Sequence, residues 1–71
     1  MRLYKISKKF GGKVQKLRKV MKISQEELAE RVGIHRNHMG RIERGETNPP
    51  LPTIEKIAKA LKVKPDELLR I

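Results

Sequence analysis

His35 and His38 stand three residues apart in GIHRNHMGRIERG, residues 33–45, with Arg36, Asn37, Arg41 and Arg44 around them. Two imidazoles at helical spacing have the type and geometry for a metal pair or for proton transfer. Their neighbours carry a different chemistry. Arginine can donate two parallel bonds to guanine O6 and N7, and asparagine pairs in the same way with adenine N6 and N7. A zinc site takes three or four protein ligands. Two histidines, no cysteine and no acid between His35 and Gly40 do not supply them. Ser7, Ser24, Thr47 and Thr53 have no evident base and orienting partner in the sequence, so no nucleophilic triad emerges. The stretch points to contact with a nucleic-acid groove and implies neither metal nor other cofactor.

Such residues act only if the chain holds them on one rigid face. Phe10, Val14, Leu17 and Met21 recur as one apolar stripe and predict a first helix from about residue 10 to 21, preceded by a basic N-terminal arm over 1–9. Leu3, Ile6 and Phe10 allow that stripe to run further back. Ser24-Gln25-Glu26-Glu27 is a capping-box sequence that opens a second helix, with Leu28, Ala29 and Val32 inward and Gly33 as the stop. A third helix runs from His35 or Arg36 to Arg44, with Met39 and Ile42 inward; Gly40 inside it costs helix propensity. ETNPPLP is a turn whose last proline suits the first turn of a fourth helix, built on Ile54, Ile57, Ala58 and Leu61. Lys64-Pro65-Asp66-Glu67 starts a short fifth helix. The reading is a compact all-α domain over residues 10–71, with no strand-type alternation.

Charge narrows the partner. The chain of 71 residues carries a formal charge of +10, and residues 1–23 hold nine Lys or Arg and no acid. That imbalance favours a polyanion, either nucleic acid or an anionic membrane surface. No apolar run approaches the ~20 residues that cross a bilayer, and the polar start MRLYKISKKF is no secretory signal. With no cysteine, a reducing cytoplasmic location is expected.

The second and third helices form a unit. Leu28, Ala29, Val32, Gly33, Ile34, Met39 and Ile42 put apolar or small residues where two short, steeply crossed helices must touch, while Gln25, Arg36, Asn37 and Arg41 can face outward. This is the sequence pattern of a helix-turn-helix at about residues 25–44, whose second helix enters the major groove. From about Phe10 to Leu69 the chain resembles the lambda-repressor-like (Cro and Xre type) helix-turn-helix family. The resemblance rests on Leu17-Arg18, Ser24-Gln25-Glu26-Glu27-Leu28-Ala29, Val32-Gly33-Ile34, Ile42-Glu43-Arg44-Gly45, Asn48-Pro49 and Ala60-Leu61.

The resemblance implies a compact five-helix domain that is not an enzyme and binds double-stranded operator DNA as a homodimer. By position, it implies that Arg36, Asn37, Arg41 and His35 read bases. Gln25, His38, Arg44 and Asn48 match phosphate-contacting positions, and Arg18 with Glu43 matches a structural ion pair. His35 stands where the family commonly has a Ser or Thr helix cap. Apolar residues near the end, Leu68, Leu69 and Ile71, are the candidate dimer interface, with Leu68 equally expected in the core. The expected function is a sequence-specific transcriptional regulator, a repressor or autoregulator that reads an inverted repeat. Small members of the family include phage repressors, antitoxins and restriction–modification controllers, and HRNHMGRIERGE resembles the controllers.

Two other classes compete. An antitoxin or coactivator-like interaction module would use the same fold to bind a protein partner such as a toxin, with poor sequence selectivity. A membrane-surface role for residues 1–23 is the weakest, because the segment lacks Trp and spends Phe10, Leu17 and Met21 on the core.

Overall fold

The computed structural model describes residues 3–70, with the side chains of residues 5–70. Five helices follow in order: α1 (Leu3–Val20), α2 (Gln25–Val32), α3 (Arg36–Glu43), α4 (Leu51–Ala60) and α5 (Pro65–Leu68), with no strand among the described residues. None of these helices is long and apolar enough to cross a membrane.

The first helix begins at Leu3, not near residue 10, so residues 3–9 are its opening turns and not an arm. The buried line continues backwards through polar or small residues. Ser7, Gly11, Val14 and Arg18 all face inward, at the three- and four-residue steps that share a helix face. Gly11 does not interrupt the helix; it lets α1 approach the end of α3. A Cβ there would lie 2.2 Å from the carbonyl oxygen of Ile42 and 2.7 Å from that of Glu43. Gly45 plays the matching part from the other side, with φ +75° and an ideal Cβ only 2.5 Å from Lys8 Cα.

Ser24 caps α2, its Oγ accepting from the Glu27 N–H at 2.9 Å. The Glu27 carboxylate accepts from Arg31 at 3.3 Å, one turn along the helix. Gly33 ends α2 in the left-handed region, φ 86°, and the Ile34 N–H closes back on the Ala29 carbonyl at 3.0 Å. Ala29, only 1% exposed, is small enough for α3 to cross above it. Pro52 occupies the first turn of α4, where a missing N–H leaves no helical bond unmade.

Twelve residues form the core, among them Leu28, Met39, Ile42, Ile57 and Leu68, each fully buried. Of the two places expected for Leu68, interface or core, the structure gives it the core. Packed inside the monomer at 0% exposure, it cannot offer a side chain to a second copy. Leu69 is 44% exposed, and Ile71 lies outside the described residues.

Candidate nucleic-acid interface

The first turn of α3 presents the outward set. His35 is its N-cap, and the ring Nδ1 accepts from the Asn37 N–H at 3.0 Å. An imidazole nitrogen that accepts carries no proton, so the neutral ring holds its hydrogen on Nε2. His35 therefore orders the start of α3 and has only Nε2 to offer to DNA. Arg36, Asn37 and Arg41 are all exposed on α3, and His38 is half-buried. Arg36 Nη1 lies 3.7 Å from Glu26 Oε2 on α2. Both side chains are well exposed, so this pair is easily exchanged for another anion.

Behind these residues stands a buried network. Arg18 donates from Nε to Glu43 Oε2 at 2.7 Å and from Nη2 to Glu43 Oε1 at 2.9 Å. Its Nη1 donates to the Ile23 carbonyl at 3.0 Å. The side chains are 11% and 1% exposed, and no buried polar side-chain atom among the described residues lacks a partner. The hydrogen bond to Glu43 holds the Arg18 pKa above its ordinary value, against the opposing effect of burial and with help from the carboxylate charge.

Gln25 joins this network, its Nε2 donating to Glu43 Oε1 at 3.1 Å. The same amide lies over Gly40, where an added Cβ would meet Gln25 Oε1 at 3.1 Å and Arg44 Nη1 at 3.0 Å. Glycine within α3 thus lets two phosphate candidates from different elements converge on one buried spot. Arg44 in turn donates to Glu46 from Nε at 2.9 Å and from Nη2 at 3.4 Å. That bond raises the Arg44 pKa and is the main cause that lowers the Glu46 carboxyl; the charges of Arg44 and Arg41 lower it further. Asn48 Oδ1 accepts from the Ser7 hydroxyl, leaving its NH2 as the group able to donate outward.

Sequence reasoning missed Glu26 and Glu46, the two carboxylates lying against the outward arginines. The signal was present in their positions, one on the first turn of α2 and one just after α3, but contact between exposed side chains is not a periodic feature. Among the described residues, no group of three His, Cys, Asp or Glu is placed to hold a metal ion.

A short exposed helix with Arg and Asn at its start, crossed by a capped helix and held by a buried ion pair, defines a helix-turn-helix DNA-binding domain. The helix-turn-helix family matches over residues 14–68, and the chain belongs to it: a lambda-repressor-like domain of the Cro/C1 type, a family of non-enzymatic DNA-binding transcriptional regulators. The control protein C.BamHI of Bacillus amyloliquefaciens is 48% identical over 61 residues, which are 84% of this chain and 75% of that one. The restriction–modification controller protein C.AhdI of Aeromonas hydrophila superposes with a TM-score of 0.90 at 40% identity, covering 96% of this chain and 99% of that one. The DNA-binding domain of the P22 C2 repressor gives 0.83 at 34% identity, covering 86% and 80%.

Proposed function

We propose that this chain is a transcriptional controller of the restriction–modification type, which binds an inverted repeat in double-stranded DNA as a homodimer. The observation that carries this reading is the face of α3. Arg36, Asn37 and Arg41 are exposed together, while Met39, Gly40, Ile42 and Glu43 anchor the helix in the core. The likeness to C.BamHI and C.AhdI supports the controller class. In this reading Arg36, Asn37 and Arg41 contact base edges, with His35 Nε2 beside them. Gln25, His38, Arg44 and Asn48 contact phosphates and set the register.

The dimer surface is an apolar patch away from α3. Ile6, Leu51 and Leu69 are exposed at 42, 71 and 44%. They border two adjoining grooves, one of about 300 Å³ over Leu51, Pro52 and Pro65, the other of about 170 Å³ between Ile6, Pro49 and Ile54. A second copy across a two-fold axis would cover this patch and place two α3 helices on one side of the duplex.

Selection from a random duplex pool near physiological salt tests the reading. An enriched inverted repeat, with half-sites about one helical turn apart, is the expected result. Retention without any enriched motif would overturn it.

A further inference from the structure

Resting on the DNA-reading proposal, we infer that the edge of α1 beside α3, formed by Lys8, Gln15 and Lys19, is a second row of phosphate contacts that extends the footprint along the DNA backbone beyond the groove. The packing of α1 fixes which way its sides face. Gly11 and Arg18 meet α3, the first at the Ile42 and Glu43 carbonyls and the second through the Glu43 carboxylate. Lys13 meets α5, its Nζ donating to the Glu67 and Arg70 carbonyls at 2.7 Å each. On a helix of 3.6 residues per turn, positions seven and eleven apart lie within ~40° of one another. Lys8, Gln15 and Lys19 therefore form one line, next to Gly11 and Arg18 and on the side away from α5.

Both ends of that line adjoin, in sequence, residues tied to phosphate candidates of other elements. Next to Lys8 in sequence, Ser7 donates to Asn48, and the Lys8 backbone packs on Gly45, the residue after Arg44. Next to Lys19, Arg18 holds the carboxylate that also anchors Gln25. The row of three side chains spans eleven residue steps of α1 and measures about 16 Å.

Charge selects the occupant. No acid occurs in residues 1–23. Lysine is a hydrated point charge suited to phosphate contact without sequence readout, and it is depleted at protein–protein interfaces. Lys9 lies on the outer face of the same helix, turned further from α3, and provides a matched control.

Binding of the full chain to the selected duplex is measured from 50 to 200 mM salt for Lys19→Gln, Lys19→Arg and Lys9→Gln. Both lysines are exposed, so thermal melts should match the parent. Lys19→Gln is expected to flatten the slope of log affinity against log salt by about 0.9, a three- to fourfold change across that range. Lys19→Arg should restore the slope, and Lys9→Gln should leave it nearly unchanged. Equal effects of Lys9→Gln and Lys19→Gln would mean diffuse charge and overturn the inference. No effect of Lys19→Gln would overturn it too, and would leave the row to an acidic protein partner. If the parent protein selects no motif yet Lys19→Gln alone flattens the slope, the phosphate row stands and sequence reading falls.

Discussion

Arg18 on α1 and Glu43 at the end of α3 are joined at two points inside the protein, at 2.7 and 2.9 Å, and the same carboxylate holds Gln25 at the start of α2. Three helices that must present a single surface are thus pinned to one side chain. Removing either partner leaves a buried charge without compensation, which costs about 3–5 kcal/mol. Glu43→Ala should lower stability by that amount in urea unfolding. An apolar double replacement, Arg18→Met with Glu43→Leu, should recover most of it, because well-packed apolar pairs often match buried ion pairs. DNA affinity should remain low in the double variant, since Gln25 has lost its anchor. Full recovery of affinity would show that the network serves stability alone.

Two glycines should respond oppositely to alanine. At Gly40 the nearest atoms are the flexible ends of Arg44 and Gln25, at 3.0 and 3.1 Å. Alanine gains about 1 kcal/mol of helix propensity there, so stability should not fall, while DNA affinity drops as both side chains are displaced. At Gly11 the obstacle is backbone, 2.2 Å away, and α1 must move. Gly11→Ala should cost about 1–3 kcal/mol or more in thermal unfolding.

How much of this was legible beforehand follows from which interactions repeat along a chain. The start of α2, its glycine stop and the inward Met39 and Ile42 could be read because caps and apolar periods leave local signatures. The first turns of α1 are allowed only by the spacing of Leu3, Ile6 and Phe10, since the buried line there runs through Ser7 and Gly11, which no apolar pattern marks. Leu68 and Leu69 are adjacent apolar residues, and only the docking of α5 decides which is core. The meaning of Gly40 lies in two side chains that arrive from 15 residues before it and 4 after it.

Glu46 should restrain DNA binding. It holds Arg44, and its carboxyl is lowered chiefly by that hydrogen bond. Its small contribution to stability is therefore present above the ordinary glutamate range and lost as pH falls through the lowered value. DNA affinity should move the other way, rising over the same interval as Arg44 and Arg41 lose an adjacent anion. Glu46→Gln should strengthen binding to all duplexes a few-fold at neutral pH and remove the rise, as read by fluorescence anisotropy. Arg44→Ala should weaken all sequences alike and reduce the salt slope by about one.

His35 acts as a cap through Nδ1. His35→Ala should destabilise by about 0.5–2 kcal/mol, and His35→Ser should restore the loss or exceed it. For a domain of this size each kcal/mol is about 4–8 °C in Tm. If His35→Ser also keeps the selected motif unchanged, Nε2 contributes nothing to base reading.

Docking of α3 in the groove requires Arg36 to touch a base edge, and a double-mutant cycle tests that contact most directly. Binding is measured for the parent and Arg36→Ala on the selected duplex and on duplexes altered one base pair at a time. Arg36→Ala should cost about 1–3 kcal/mol on the selected site, and at one position the base change should add nothing further. Strict additivity at every position would place Arg36 off the bases and contradict the docking of α3 in the groove.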